Sequence, residues 1–445
     1  MGPRSRAKRH KAIEAVPSGP RPGIPALPGP LSATGPCPHH WRLRSFDVTI
    51  ICVVAVALSL TTPAVVPASP ARLAAPYVPC PAVKPPVAPP PAPSPPPVDP
   101  ADLAVGGESL ATAGLSIPAG ASNAPAVTAT SWLVADLDSG AVLGGCGPHE
   151  RRTPASVQKM LLAAALMPHL DPTQVVEVTR ADLRDLDPAS SVMGVVPGGR
   201  YSIESLWLGL LLKSGNDAAN VLARVGGGST GRQGGVQAMN DEAHRLGANQ
   251  THAATPSGLD GPGQYTSAYD LALIARATYA RADFRRYVAT RVAEIPAGPG
   301  RPGLSLTHDN TLLDRYPGTL GGKTGFTDLA RQTYVGVAER NGRRLAVTLL
   351  GAETAPLGSL GEAAALLNWG FALSPDASVG RLVGPDEKKP DRPVSQVKAD
   401  QARTGRSVSW MAILGPGAGG VLAVLLLAGS VRRRAARAAT KPSSG

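Results

Sequence analysis

Pro154-Ala155-Ser156-Val157-Gln158-Lys159-Met160 heads the apolar run Leu161-Leu162-Ala163-Ala164-Ala165-Leu166-Met167, and the rest of the chain takes its place around this stretch. A proline at the head of such a run suits the first turn of a helix, where its fixed φ and missing N–H cost nothing. Residues three apart share a helical face, about 5–6 Å between Cβ atoms, so the Lys159 amine reaches the Ser156 hydroxyl. Backbone N–H groups at that end lack partners and the helix dipole favours negative charge, which suits an oxyanion forming beside Ser156. Ser-x-x-Lys is common by chance, and its plain alternative is an N-terminal serine beside a surface lysine.

Upstream, residues 132–137, Asp138-Ser139-Gly140 and residues 141–143 read as strand, turn and returning strand. Downstream, helices are expected over 203–212, 217–224, 237–246 and 267–279. Residues 332–339 and 343–350 flank Asn341-Gly342, a strong hairpin signal, and a helix over 366–371 closes the domain. Strands at both ends with helices between them predict an α+β domain: one antiparallel sheet in which the terminal strands are joined, flanked by helices.

The net charge of +12 sits at the ends, with +6 in residues 1–47 and +5 in residues 432–445. No part of the domain between is basic enough to follow a phosphate backbone, so nucleic acid is not an expected partner. Residues 1–45 have disordered composition and form a basic tail, and residues 46–68 read as a signal peptide or membrane anchor. Eleven prolines in residues 81–100 mark a semi-rigid extended spacer within a linker over 69–125. The catalytic domain is expected over 126–373, then a stalk over 374–409. A membrane helix over 410–431 comes next, the tail 432–445 holding it by cytoplasmic Arg432, Arg433 and Arg434. The domain between the apolar segments then lies outside the cytoplasm, on the cell-wall side of the membrane. In an oxidising compartment Cys80 and Cys146 are expected to pair.

Two motifs are set aside. Gly227-Gly228-Ser229-Thr230-Gly231 follows a helix where a nucleophile elbow needs a strand. Gly321-Gly322-Lys323-Thr324 lacks the earlier glycine of a phosphate loop, Pro317 standing there. No histidine pair has zincin spacing, so no metal and no cofactor is expected. Two motifs do fit the opening stretch: Ser214-Gly215-Asn216 and Lys323-Thr324-Gly325. Ser-x-x-Lys, Ser-x-Asn and Lys-Thr-Gly in that order form the set used by penicillin-binding proteins and class A β-lactamases.

With these residues the chain resembles the low-molecular-mass D-alanyl-D-alanine carboxypeptidases, the monofunctional penicillin-binding proteins of bacterial cell walls, and its alanine- and proline-rich flanks resemble actinobacterial ones. The resemblance covers residues 131–373, including Tyr201-Ser202-Ile203-Glu204 and Gly322-Lys323-Thr324-Gly325-Phe326-Thr327. It implies a penicillin-binding-protein/β-lactamase-like transpeptidase fold and removal of the terminal D-alanine from peptidoglycan stem peptides through an acyl-enzyme on Ser156, with β-lactams acylating the same serine. Lys159 is the expected base, kept neutral by burial and a nearby cation such as Lys323. Ser214 relays the proton and Asn216 holds the substrate amide. Lys323 and Thr324 meet the terminal carboxylate, Gly325 lets the peptide add as a strand, and the N–H groups of Ser156 and Phe326 hold the oxyanion.

Three alternatives use the same residues. A DD-endopeptidase would cut cross-links instead. A β-lactamase needs a deacylating glutamate between the second and third motifs, where only Glu242 and Glu294 occur, without that context. An inactive wall-binding protein has little reason to keep all three motifs.

Overall fold

Asn341 and Gly342 both take positive φ, 52° and 75°, the backbone a two-residue hairpin with matching twist requires. The computed structural model describes residues 77–88, 90 and 96–384. Its main sheet has seven strands: β1 (Leu115–Ser116), β2 (Ser131–Asp136), β3 (Ala141–Cys146), β4 (Thr319–Thr327), β5 (Arg331–Arg340), β6 (Arg343–Ala352) and β7 (Gly380–Arg381). The order is β1-β3-β2-β6-β5-β4, antiparallel throughout, with β7 paired beside β1 on the outer side of β3. β2 and β6, from the two ends of the domain, lie side by side with Ala346 opposite Ala135. The expected antiparallel α+β sheet with joined terminal strands is the one observed.

Six longer helices are α1 (Lys159–Leu166), α2 (Ile203–Leu212), α3 (Asn216–Gly226), α4 (Gly231–Leu246), α5 (Ala268–Ala280) and α6 (Gly358–Ala372). Every residue of β2 is buried, because the sheet is covered on both faces. Trp132 and Val134 point one way into a core with Leu366, Leu367 and Trp369 of α6. Leu133 and Ala135 point the other way onto Ala268, Tyr269 and Ala272 of α5. Behind α5, α1, apolar after its first residue Lys159, is wholly buried among α2, α3 and α4 in the largest core. A helix whose other seven residues are all apolar belongs in such a place, with the single polar side chain at the end that meets the site.

Several boundaries differ from expectation. α4 starts at Gly231, not 237, because glycine here serves packing: a Cβ on Gly235 would lie 2.2 Å from Ala223 O of α3. α6 starts at Gly358, eight residues before 366, since Ala363 and Leu366 bury one continuous stripe. Two small hairpins, Val175–Glu177 with Arg200–Ser202 and Val292–Ile295 with Leu304–Thr307, carried no sequence signal strong enough to place them.

The domain is also longer than residues 126–373. The Cys80–Cys146 disulfide forms, Val83 N donates to Val127 O, and Leu110 is fully buried. Much of the expected linker is therefore fixed to the sheet by backbone bonds and a covalent bridge, which proline content alone does not disclose. At the other end, β7 and buried Leu382 take the first residues of the expected stalk into the fold. The tails 1–45 and 432–445, the segment 46–68 and the apolar run 410–431 lie outside the described residues. Among the described residues no helix is long and apolar enough to cross a membrane.

Candidate active site

α1 is entered through a 3₁₀ turn, Ala155–Gln158, because Ala155 stands at φ 50° and cannot begin a regular helix. A non-glycine residue in this region is strained and persists only when its surroundings hold it. They do so from two sides. Thr333 Oγ1 of β5 donates to Pro154 O at 2.9 Å. Gly258, itself at φ 85°, lies so close that a Cβ on it would come within 2.0 Å of Ala155 O. Ser156 is thereby left half-buried at the surface of the turn, while Lys159 is fully buried one turn on.

Lys159 Nζ lies 2.7 Å from Ser156 Oγ and 2.9 Å from Ser257 O, to which it donates. Burial holds the amine well below its usual basicity, the nearby Lys323 ammonium pushes the same way, and Asp217 opposes them. A neutral amine at hydrogen-bond distance from a hydroxyl is positioned to take its proton. The expected environment of Lys159, buried and near a cation, is the one found.

Ser214-Gly215-Asn216 joins α2 to α3. Ser214, at φ 58°, is another strained non-glycine residue, and it is buried with Asn216. Asp217 fixes the loop above them: its carboxylate accepts from Met193 N (2.9 Å), Gly194 N (2.7 Å), Val195 N (3.1 Å) and Ala218 N (2.9 Å). The middle residue is glycine for a local reason, as a Cβ there would stand 2.8 Å from Asp217 Oδ1. Asn216 Oδ1 is buried without a partner among the described residues. An unpaired buried carbonyl costs about 1–3 kcal/mol, which a donor on a ligand would recover.

Lys323, Thr324, Gly325 and Phe326 lie on β4, at the open edge of the sheet. Lys323 is buried, its amine donates to Thr324 O at 2.6 Å, and burial lowers its pKa to about 8 against the pull of Asp309. Gly325 sits against the nucleophile turn: a Cβ there would come within 2.3 Å of Thr333 Oγ1 and 2.8 Å of Ser156 N. The absence of a side chain at this one position lets the strand edge and the Ser156 N–H line the same space. Phe326 follows, half-exposed at the mouth.

Ser156, Ser214, Asn216, Thr324, Gly325 and Phe326 all line one cleft of about 670 Å³, with Lys159 and Lys323 buried behind it. All eight sequence-predicted site residues thus gather in one place. Glu242, paired with Arg245, and Glu294, on the Val292–Ile295 strand, do not line the cleft. Ser257, Asp217, Arg315 and residues 357–361 belong to the site or its walls and were not foreseen. Ser257 contributes only a carbonyl, which has no signature in sequence, whereas Asp217 directly follows Asn216 and its helix-opening place could have marked it. Of the two motifs set aside, Gly228–Thr230 is a 3₁₀ turn between α3 and α4 that does not line the cleft, and Gly321-Gly322-Lys323-Thr324 is strand, part of β4, where a phosphate loop would need a turn into a helix.

The profile of the D-alanyl-D-alanine carboxypeptidase family matches residues 119–354. The chain is 44% identical over 269 residues to D-alanyl-D-alanine carboxypeptidase DacB2 of Mycobacterium tuberculosis, covering 60% of this chain and 90% of that one. It is 33% identical over 256 residues to DacD of Escherichia coli, covering 55% and 64%. Among solved structures, a D-alanyl-D-alanine carboxypeptidase from M. tuberculosis H37Rv superposes with a TM-score of 0.56 at 42% identity, covering 60% of this chain and 99% of that one. The Streptomyces K15 DD-transpeptidase does so with a TM-score of 0.53 at 26% identity, covering 57% and 100%.

Proposed function

This chain belongs to the D-alanyl-D-alanine carboxypeptidase family, and from that premise we propose which of its residues perform the hydrolysis and where in the cell they do so. It is a serine-type peptidase with the penicillin-binding-protein fold, acting on the D-Ala-D-Ala end of peptidoglycan stem peptides and acylated by β-lactams. Ser156 is the nucleophile. Neutral Lys159 takes the hydroxyl proton as Oγ attacks the penultimate D-Ala carbonyl, and the negative charge collects on the carbonyl oxygen between the Ser156 and Phe326 N–H groups. Each such donor is typically worth about 3–4 kcal/mol. The C–N bond then breaks, Ser214 passes the proton from Lys159 to the departing amine, and D-alanine leaves. Water hydrolyses the ester and restores Ser156. Asn216 orients the substrate through its side-chain carbonyl, and Lys323 and Thr324 face the leaving residue.

The 2.7 Å contact between a buried, weakly basic Lys159 amine and Ser156 Oγ carries this assignment. Fluorescent penicillin tests it, with wild type beside Ser156→Ala and D-Ala release from a pentapeptide followed in parallel. Wild type should label stably and release D-Ala; label on the alanine variant would refute the nucleophile. Rapid loss of label without D-Ala release would indicate a β-lactamase, and turnover of cross-linked dimers alone an endopeptidase.

The location is part of the same proposal: the domain works outside the cytoplasm, held to the membrane by residues 410–431. The Cys80–Cys146 bridge, which needs an oxidising compartment, and the uncharged run followed by arginines support it. Removal of the chain after residue 409 should move penicillin label from the membrane fraction to the soluble one; label that stays with membranes would count against the anchor.

A further inference from the structure

The cleft does not end at Asn216. A second cavity of about 530 Å³ adjoins it, and Asn216 and Leu259 line both. Its walls are the segment around Asp185, one face of α4 and the loop 252–259. No step of the hydrolysis described above uses it.

The fold says which end of the substrate it receives. Asp260, next to Leu259, accepts from Thr327 Oγ1 at 2.7 Å and from Leu329 N at 3.2 Å. The loop is thereby fixed at the Phe326–Thr327 end of β4, whereas the leaving residue faces Lys323 and Thr324. The cavity therefore lies toward the acyl portion, the part of the peptide that stays on Ser156.

The donor ends of its side chains are already spent. Asn220 Nδ2 donates to Asp182 O at 2.8 Å, Gln237 Nε2 to Asp241 Oδ1 at 2.8 Å, and His252 Nδ1 to Gly263 O at 2.6 Å. Asn220 Oδ1, Gln237 Oε1 and Nε2 of the neutral imidazole are left as acceptors with no partner among the described residues. Asn240 offers nothing more, since Ala253 satisfies both ends of its amide. Asp185 is held through Oδ2 alone, by Arg232 at 2.9 Å, and its side chain is 64% exposed, so a carboxylate oxygen stays open. The unspent capacity is three neutral acceptors and one charged one. An ammonium group, with three donors and no acceptor, is the complement of that set.

We propose that this cavity is an acyl-side subsite for a primary ammonium, so that the enzyme selects stem peptides whose side-chain amine is still free over those in which that amine has been acylated. This rests on the peptidase assignment above and adds a specificity to it, read at the end of the substrate opposite the departing D-alanine.

The test uses the full chain and three peptides with the same D-Ala-D-Ala end: Nα-acetyl-lysyl with its ε-amine free, Nα,Nε-diacetyl-lysyl, and Nα-acetyl-glutamyl. Active sites are counted by saturating fluorescent penicillin, so that misfolded protein does not enter the rates. In wild type kcat/KM should favour the free amine over the diacetylated peptide by about tenfold, chiefly through KM. Asp185→Asn should cut that ratio by about threefold, and adding Gln237→Leu should bring it close to one. Arg232→Gln should move the ratio the other way, because it frees the whole Asp185 carboxylate. A wild-type ratio near one overturns the proposal, as does a ratio that Asp185→Asn leaves unchanged, including when both peptides slow equally. If the glutamyl peptide is preferred and Arg232→Gln removes that preference, the cavity reads an anion and the proposal is wrong. Normal labelling and D-Ala release without any amine preference sinks this subsite alone; wild type that neither takes the label nor releases D-Ala refutes the peptidase assignment itself, and the subsite with it.

Discussion

A lysine three residues after a serine is, on most helices, a solvated charge, whereas Lys159 is fully buried between Ser156 Oγ and Ser257 O. Its depressed basicity needs the enclosing loop as much as the helical spacing. Lys159→Ala should lower the penicillin acylation rate by about 10³-fold, within the range for loss of a general base, with an unchanged circular dichroism spectrum. Full labelling would return Lys159 to a packing role. The two lysines also set opposite limbs of the pH profile. Catalysis needs Lys159 unprotonated, so kcat/KM should fall as acid protonates it. It needs Lys323 protonated, so kcat/KM should fall again as pH rises through about 8. Lys323→Arg, which keeps its proton, should remove the alkaline fall; an alkaline limb still centred near 8 in that variant would exclude Lys323 as its source. The Ser156–Lys159 pair was legible in sequence because both ends are side chains at helical spacing. Ser257 O and Gly258 were not, since a loop distant in sequence supplies backbone to the site.

β4 and the nucleophile turn meet with no room to spare. Gly325→Ala would drive a methyl into Ser156 N and Thr333 Oγ1, displacing one donor for the oxyanion. Acylation should drop at least 100-fold, the cost typical of losing such a donor, and near-normal labelling would show that the strand can retreat. Elements were legible where local chemistry agreed with the fold: the Asn341-Gly342 hairpin, and Ser202 and Ser267, whose hydroxyls cap α2 and α5 by accepting from Ser205 N and Asp270 N. They were hidden where tertiary packing overrode propensity. The glycines at the head of α4 argue for a loop by themselves, and become helical because only they allow α3 to approach. Two- to four-residue strands, such as β1 and β7, are too short for any periodicity to declare.

At the scale of the molecule, the disulfide closes a loop of 66 residues in sequence, from beyond the expected domain start to the end of β3. Chain entropy puts the effect of such a closure at about 4 kcal/mol. Cys80→Ser should therefore lower the unfolding midpoint by about 10 °C while leaving the acylation rate within twofold, because Cys146 and β4 lie at opposite sides of the sheet. A change in acylation with no change in midpoint would mean that the bridge serves the site instead of the fold. The domain limits were misread because composition reports what a segment is made of, and the bonds from residues 80–83, β1 and β7 report what it is tied to.

That tying has a mechanical consequence. β1, arriving, covers the half of β3 near Cys146, and β7, departing, covers the half near Ala141. The two ends of the domain thus share one margin of the sheet, leaving the opposite margin, β4, as the open one. A pull on the N-terminal flank reaches β3 through the Cys80–Cys146 bridge, which takes the load off β1, and a pull on the C-terminal flank enters through β7, whose hydrogen bonds to β3 would shear first; neither path crosses the cleft. Self-pairing is also blocked at one margin by the chain's own ends, so the unpaired backbone that remains is the part a peptide must find.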